Sequence, residues 1–338
     1  MIVPSRGYVA CVAVLVSVVL LGGCTSSEGD ANVEEYVLAF QVTEERRAFI
    51  EQTEPLAEWI SDRTGVPTRV LTVQDDRAQI TALATGQAHA AYMSGGAAWI
   101  GWQEFDLEAV AAEVREADGR TSYVAGLWVL ADGGIDTIED LRGRDSCHTG
   151  ELTGTGMFVP LGYLIGHGYV DTTDVDRDDI ASLSVLRERF FANSKIGGGY
   201  AGAFQCLSTG EGEVATGRDT AAEDFCGEAP APWCRPVEDY RFLPAADGPD
   251  PAEAEGGLVR VPSHPVMVSP HLHEDDRRTI RDAFLALDQT MEGRQILREL
   301  LGAAGLEPTT AAEHLGRYGE VLDHVPGIRD HFANQGQS

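Results

Sequence analysis

The sequence predicts an α/β protein of two lobes that are joined by two crossover strands. Strand-like apolar runs alternate with helix-spaced apolar residues over 36–93, which is typical of a parallel sheet covered by helices. Two long β-rich stretches, 123–130 and 258–268, flank the middle of the chain, with similar α/β material before and after them. The hydrophobic content of 43% is enough to bury such a core. A ligand is then expected in the cleft between the lobes.

The first part of the chain has the pattern β-α-β-α-β. Strands are expected at 36–42, 69–73 and 88–93. Between the first two strands, four apolar residues share one helical face: Phe49, Leu56, Trp59 and Ile60. The spacing of Ile80, Leu83 and Ala84 indicates a second helix, which ends at Gly86.

The later elements define the lobe limits. The crossover strand 123–130 is followed by a capped turn at 136–141, a strand ending near Cys147 and a helix over 156–164. After the second crossover, four residues repeat as the core face of a helix: Ile280, Phe284, Leu287 and Met291. We therefore expect lobe 1 to comprise 36–122 plus 265–338 and lobe 2, inserted, to comprise 123–264. The polar stretch 245–257 indicates a surface loop.

The N-terminal segment has the pattern of a targeting signal. Arg6 precedes an apolar run over 8–21, which is shorter than a spanning helix and ends in Leu-Gly-Gly-Cys24. This pattern predicts a lipoprotein signal peptide at 1–23, a lipidated Cys24 and a tether over 24–35; a plain membrane anchor is the alternative. The mature protein is then extracytoplasmic and held at the membrane through Cys24.

The cysteine count indicates disulfides in this compartment. Cys11 leaves with the signal peptide and Cys24 carries lipid, which leaves an even number of cysteines: Cys147, Cys206, Cys226 and Cys234. Four cysteines allow three pairings. The short separation of Cys226 and Cys234 favours a local bond between them, and Cys147 then pairs with Cys206.

Charge and motif content exclude several function classes. The chain carries 54 acidic against 25 basic residues, a net charge of −29, so a nucleic-acid partner is not expected. It lacks a nucleophile elbow, a His-Glu-x-x-His sequence and a dinucleotide-binding glycine pattern. The protein is therefore not expected to be an enzyme.

Three segments carry residues suited to a ligand. The Gly- and Thr-rich stretch 149–156 precedes a helix, where backbone N–H groups, hydroxyls and the helix dipole suit a small anion; a plain connecting turn is the alternative. Tyr200 stands in a run of small residues that permits close approach of a ligand, or is simply packed there. His264 lies in the β-rich crossover, as a ligand or as a hydrogen-bonded structural residue.

These segments together resemble the transferrin lobe. The motif Leu-Arg-Gly-Arg-Asp-Ser-Cys-His-Thr-Gly over 141–150, the motif Tyr-Ala-Gly-Ala-Phe-Gln-Cys-Leu over 200–207 and Val-Pro-Ser-His over 261–264 match paired motifs of that family in order and spacing. The resemblance covers about 90–268. It implies iron-binding roles for Tyr123, Tyr200 and His264, and a disulfide between the cysteines that match Cys147 and Cys206. Fe³⁺ prefers anionic oxygen, which phenolates supply.

Two positions depart from the transferrin pattern. The aspartate ligand of that family corresponds to Ser94, so an iron ion has a position left for water, Tyr92 or a second anion oxygen. The arginine that holds the family's carbonate corresponds to Thr153. The expected anion site therefore consists of hydroxyls and helix-end amides: Thr149, Thr153, Thr155 and Gly156.

A second resemblance concerns the first lobe. The stretches 55–60, 64–66 and 82–88 resemble the opening of bacterial phosphonate and phosphite ABC-transporter substrate-binding lipoproteins, whose anion pocket also uses hydroxyls at a helix N-terminus. Both families share the two-lobed periplasmic-binding-protein type II architecture. This transferrin-like fold with two crossover strands is therefore the fold that the resemblances imply.

The combined expectation is a lipid-anchored monomer that captures Fe³⁺ with a small anion, carbonate or phosphate, and delivers it to an ABC permease. The main alternative is a phosphonate, phosphate or phosphite carrier without metal, in which the same tyrosines donate hydrogen bonds to oxyanion oxygens. A metal-dependent hydrolase and a purely structural surface protein are the remaining alternatives.

Overall fold

The computed structural model describes residues 33–41, 49–244 and 256–334. The predicted signal peptide 1–23, the lipidation site Cys24 and most of the tether lie outside the described residues, as does most of the predicted loop 245–257. Within the described ranges, no helix combines the length and the apolar character that a membrane span requires.

Strands and helices alternate along the described chain. The strands are β1 (Tyr36–Gln41), β2 (Thr68–Val73), β3 (Ala90–Tyr92), β4 (Glu108–Arg115), β5 (Ser122–Leu130), β6 (Ser146–His148), β7 (Ser194–Ile196), β8 (Val214–Arg218), β9 (Tyr240–Leu243), β10 (Val259–Pro262), β11 (Pro265–Val268) and β12 (Ala303–Pro308). The helices are α1 (Phe49–Thr64), α2 (Asp76–Ala84), α3 (Gly95–Phe105), α4 (Val159–Gly166), α5 (Ser182–Phe190), α6 (Tyr200–Ser208), α7 (Ala221–Cys226), α8 (Glu274–Leu285), α9 (Met291–Ile296), α10 (Ala311–Leu322) and α11 (Ile328–Asn334).

The strands form two sheets. The first has the order β12-β4-β11-β3-β1-β2 and the second the order β10-β5-β8-β6-β7, with β9 added on β5. The predicted parallel pairing of the opening segment holds for β1 with β2 and β3. In the second sheet, β6 also pairs parallel with β7 and β8. The crossover strands pair antiparallel, because each enters its sheet from the other one. Both sheets are therefore mixed.

The predicted crossover strand 123–130 is the single strand β5, whereas the predicted stretch 258–268 contains two strands, β10 and β11. The chain leaves the first sheet through β4 and enters the second through β5; it returns through β10 and β11, with Ser263 and His264 between them. The predicted stretch 258–268 is thus one strand in each sheet. The lobe limits assigned from the sequence stay a prediction.

Three further expectations have clear outcomes. Both disulfides, Cys147–Cys206 and Cys226–Cys234, are formed as predicted. Ile280, Phe284 and Leu287 are buried, but Met291 is 83% exposed. The prediction for Met291 was wrong, because α8 ends at Leu285 and Met291 begins a separate helix, α9.

Candidate ligand-binding site

A cavity of about 610 Å³ lies between the two sheets, and it collects most of the predicted site residues. Its lining includes the predicted metal ligands Tyr123, Tyr200, His264 and Ser94 and the predicted anion ligands Thr149, Thr153 and Thr155. Gly156 is the exception: it does not line the cavity but lies directly beneath two of the threonine hydroxyls.

The two phenols meet inside the cavity. The hydroxyl oxygens of Tyr123 and Tyr200 are 3.4 Å apart, and Tyr123 shares a hydrogen bond of 2.6 Å with the Thr155 hydroxyl. Burial, reinforced by the neighbouring Tyr200, raises the pKa of Tyr123 well above its ordinary value, so the phenol is neutral in the ligand-free protein. The pair can donate hydrogen bonds or, on losing protons, supply anionic oxygen.

An arginine guanidinium lies over the face of each phenol ring. Arg115 lies 5.0 Å from the ring centre of Tyr123, and Arg218 lies 5.2 Å from that of Tyr200. Both arginines line the cavity. Cations thus reach the cavity from β4 and β8, and each is already paired with a carboxylate: Arg115 lies 3.4 Å from Asp118, and Arg218 lies 2.7 Å from Asp224.

Glycines bring Tyr200 to its position at the start of α6. Gly198 and Gly199 have φ angles of 72° and 134°, a region that side chains rarely allow. A Cβ on Gly202 would lie 1.9 Å from the carbonyl oxygen of Gly197. The small-residue run noticed in the sequence therefore serves a close backbone approach that delivers Tyr200 to the cavity.

The predicted anion segment forms a π-helical turn, Gly154–Phe158, before α4. Above this turn, the hydroxyls of Thr149 and Thr153 lie 3.0 Å apart. A Cβ on Gly156 would lie 1.9 and 2.4 Å from those two oxygens, so only glycine fits beneath them. Thr153 also donates to the Gly150 carbonyl oxygen at 3.2 Å, so both hydroxyls must reorient before they can donate to an oxyanion.

His148 holds this turn from below and is a residue that sequence reasoning missed. It is fully buried, its Nδ1 donates to the Gly156 carbonyl oxygen at 2.8 Å, and its Nε2 accepts from the Ser146 hydroxyl at 2.9 Å. Burial lowers the pKa of His148 to about 4, so the ring is neutral at ordinary pH. Its place in the Cys-His-Thr-Gly motif was the available signal.

His264 is oriented by a buried carboxylate. Its side chain is 53% exposed, and its Nδ1 lies 2.9 Å from Glu113 Oε2. Although burial opposes it, hydrogen bonds from His264 and from Tyr92 hold the pKa of Glu113 below its usual value. Nδ1–H therefore donates to the carboxylate, which leaves the Nε2 lone pair available for a ligand.

Tyr92 does not occupy the metal-coordination position that the sequence suggested is left open at Ser94. Its hydroxyl donates to Glu113 at 2.5 Å, and its ring stacks on His264 with the centres 5.1 Å apart. It lies behind the imidazole and is not part of the cavity lining. Tyr92 thus supports His264 and does not replace Ser94.

A carboxylate that the sequence analysis missed stands beside Ser94. Ser94 caps α3, and its hydroxyl lies 3.5 Å from Asp76 Oδ2 in the first turn of α2. Asp76 lines the same cavity. Burial, and then the neighbouring Asp75, raises the pKa of Asp76, while the hydrogen bond from Ser94 and the interaction with His264 lower it in part. An Asp-Asp pair that follows a strand was the only signal in the sequence.

The donor set limits which metals fit. Among the described residues, no three His, Cys, Asp or Glu side chains are grouped to hold an ion. A metal in this cavity therefore depends on the phenols of Tyr123 and Tyr200, in addition to His264 and Asp76. Phenolate and carboxylate oxygens favour a hard, highly charged cation. The larger neighbouring cavity, about 950 Å³ between α4, β10 and α10, contains none of the predicted site residues.

Comparison with known proteins identifies the family. Residues 38–314 match the family model described as "ABC transporter, phosphonate, periplasmic substrate-binding protein". The chain belongs to this family. The family model describes periplasmic substrate-binding proteins of ABC-type phosphonate transporters.

This member of the phosphonate-binding family is also similar in sequence to transferrins. It is 26% identical to a transferrin of Blaberus discoidalis over 318 residues, which covers 75% of the chain and 42% of that protein. It is 29% identical to ovotransferrin of Gallus gallus over 173 residues, 43% of the chain and 24% of that protein. The chain thus spans less than half the length of these relatives.

Solved structures agree with the fold. XAC2383 from Xanthomonas citri, bound to chloride ion, superposes with a TM-score of 0.60 at 18% identity, covering 88% of this chain and 100% of its own. A binding-protein component of an ABC phosphonate transporter from Pseudomonas aeruginosa gives a TM-score of 0.51 at 15% identity, covering 91% of each chain. The predicted two-lobed periplasmic-binding-protein type II fold is confirmed.

Proposed function

We propose that this solute-binding protein captures Fe³⁺ together with a small anion, carbonate or phosphate, in the cavity between its sheets and delivers it to an ABC permease. The observation that carries the proposal is the convergence of two phenols, 3.4 Å apart, with an imidazole in one cavity. Lipid attachment at Cys24 holds the protein at the membrane in this proposal.

The metal ligands in this proposal are Tyr123, Tyr200, His264 and Asp76. Two phenolates and one carboxylate match the three positive charges of Fe³⁺, and the imidazole Nε2 adds a neutral donor. Ser94 then acts on Asp76 by a hydrogen bond and is not itself a metal ligand. Because the Tyr123 phenol is neutral before the ion arrives, iron uptake releases its proton and weakens as pH falls.

The anion occupies the hydroxyl-lined turn. Thr149, Thr153 and Thr155 supply donors, and the helix-end amides near Gly156 add a positive dipole. A bidentate guanidinium, which matches planar carbonate best, is missing at Thr153. Arg115 and Arg218 supply the positive charge at a distance, over the phenol rings.

A carrier of phosphonate, phosphate or phosphite without metal is the second candidate. The family match over 38–314 and the raised pKa of Tyr123 favour it, since a protonated phenol donates a hydrogen bond to an oxyanion. In that case Tyr123, Tyr200 and His264 bind anion oxygens.

Iron retention by a Tyr200→Phe variant tests the main proposal. Equilibrium dialysis against ferric nitrilotriacetate with bicarbonate measures the iron bound per protein. Removing one phenolate is expected to weaken iron binding at least a hundredfold, because a charged ligand is lost while the ring packing stays.

The matched control is Tyr169→Phe, which removes a phenol oxygen from a ring that packs on Phe190 away from the cavity. It is expected to bind iron like the wild-type protein. Equal iron binding by the Tyr200→Phe and Tyr169→Phe variants would contradict the proposal.

A further inference from the structure

The phenol of Tyr318 is a buried group to which the proposed function gives no role. Tyr318 is only 4% exposed, yet it lines the cavity between the sheets. Among the described residues, its hydroxyl has no hydrogen-bond partner. Burial, and to a smaller extent the nearby Tyr200, raises the pKa of Tyr318. The group is therefore a neutral donor that faces the cavity without an acceptor.

The helix that carries Tyr318 contacts both sheets. α10 packs against α3 and β4 on the side of the first sheet, and against β10 and α4 on the side of the second. A Cβ on Gly319 would lie 2.1 Å from the Trp99 Nε1 atom, so a glycine lets α10 approach α3 closely. This packing fixes the position of the neighbouring phenol.

The Tyr318 hydroxyl stands over the anion turn. A Cβ on Gly154 would lie 3.2 Å from it, so the oxygen is above the first residue of the turn Gly154–Phe158. Thr155, the next residue, presents its hydroxyl to Tyr123. Donors from α10 and from β5 thus lie at adjacent positions of one turn.

Among the described residues, the one fully enclosed polar side-chain atom without a partner is Arg187 Nε, so the Tyr318 oxygen opens onto the cavity, where solvent or a ligand can accept its proton. Phenylalanine would fill the space around the ring equally well. The hydroxyl therefore presents a donor to the cavity that a bound ligand can engage in place of solvent.

We propose that the Tyr318 hydroxyl donates a hydrogen bond to the oxyanion held at the turn Gly154–Phe158, and so completes the anion site from α10. The proposal rests on the anion part of the proposed function. The ligand class is a small oxyanion, either as the companion of Fe³⁺ or alone. Tyr318 lies beyond residue 314, where the family match ends, so the family model does not assign it.

A Tyr318→Phe variant tests this proposal, with Tyr169→Phe as the matched control. Three probes are titrated against the full chain: ferric nitrilotriacetate with bicarbonate, inorganic phosphate without metal, and methylphosphonate without metal. Because a hydrogen bond to a charged group is lost, Tyr318→Phe is expected to weaken binding of the anion by about ten- to a hundredfold. The thermal midpoint of the ligand-free variant is expected to be equal to that of the wild-type protein or higher, since no protein hydrogen bond is removed.

The outcomes separate this proposal from the proposed function. If the wild-type protein binds a probe and Tyr318→Phe binds it with equal affinity, the proposed role of Tyr318 is overturned and the proposed function is not. A lower thermal midpoint of the ligand-free variant with unchanged affinity would also overturn it, because the hydroxyl would then be structural. If the wild-type protein binds none of the three probes, the proposed function fails, and this proposal fails with it.

Discussion

At the scale of single residues, Glu113 governs how His264 can act. The carboxylate accepts from the imidazole Nδ1 at 2.9 Å and from the Tyr92 hydroxyl on the same oxygen. Such a partner fixes the tautomer and direction of a ligand histidine. If His264 binds the ligand as proposed, Glu113 acts through it as a positioning residue.

Glu113→Gln is expected to weaken iron binding by about ten- to a hundredfold, because the neutral amide no longer fixes the Nδ1–H tautomer with a charged acceptor. Competition with citrate measures the affinity. Glu113→Asp, which keeps the charge, is expected to recover part of the loss. Equal affinity in the wild-type and Glu113→Gln proteins would show that His264 does not bind the ion.

Gly156 gives a second prediction at this scale. In Gly156→Ala, the new Cβ would lie within 2.4 Å of both threonine hydroxyls, so Thr149 and Thr153 must move. We expect at least a tenfold loss of anion affinity, which calorimetric titration measures. Gly316→Ala is the control, because nothing lies within 4 Å of the Cβ position there. Equal anion affinity in both variants would place the anion elsewhere.

The sequence identified some site residues and missed others for a physical reason. Tyr123, Tyr200 and His264 each lie in a local motif, so one segment at a time carries the signal. Asp76 and Tyr318 lie in ordinary helices, and only the packing of α2 and α10 brings them to the cavity. A contact that depends on tertiary packing leaves no local pattern.

At the scale of elements, the turn Gly154–Phe158 depends on the neutral ring of His148. The ring bridges the Gly156 carbonyl and Ser146 in β6. β6 is joined to α6, which carries Tyr200, through the Cys147–Cys206 disulfide. The anion turn and the Tyr200 helix are therefore braced against one strand.

The buried ring of His148 predicts that the stability of the protein depends on pH. Burial lowers the pKa of His148 from 6.5 to about 4, so between these values the unfolded chain binds more protons than the folded one. The stability contribution of the neutral ring is full above pH 6.5 and is lost as pH falls towards 4. The loss amounts to about 3 kcal/mol.

Urea unfolding at pH 7.5 and pH 4.5 measures this dependence. Other buried histidines titrate as well, so the comparison is with His148→Gln, which cannot gain the proton. The wild-type protein is expected to lose about 2 kcal/mol more than the variant between the two pH values. An equal loss in both proteins would show that His148 does not carry the effect.

The element pattern was predictable where periodicity is strong. The β-α-β-α-β opening and the buried faces of α1 and α8 follow from apolar spacing. The division of 258–268 into β10 and β11 does not, because a continuous apolar stretch has the same pattern whether it pairs in one sheet or in two. Strand direction and sheet order are likewise set by long-range pairing.

At the scale of the whole molecule, the cavity is formed by residues of both sheets and of α10. The first sheet and its helices bring Asp76, Ser94 and Glu113, while the second brings the two phenols and the anion turn. His264 lies on the connection between the sheets, and Tyr318 on a helix that contacts both. The lining of the cavity therefore comes from both sheets, from the connection between them and from α10.

The central claim is that the two phenols bind ferric iron, and a visible absorption titration tests it most directly. The purified protein is titrated with ferric nitrilotriacetate alone, then with bicarbonate and then with phosphate. We predict a phenolate-to-iron band that saturates at one ion per chain and requires one of the anions. The absence of any band, together with thermal stabilisation by phosphate or methylphosphonate without metal, would contradict the claim and make Tyr123 and Tyr200 hydrogen-bond donors to an oxyanion.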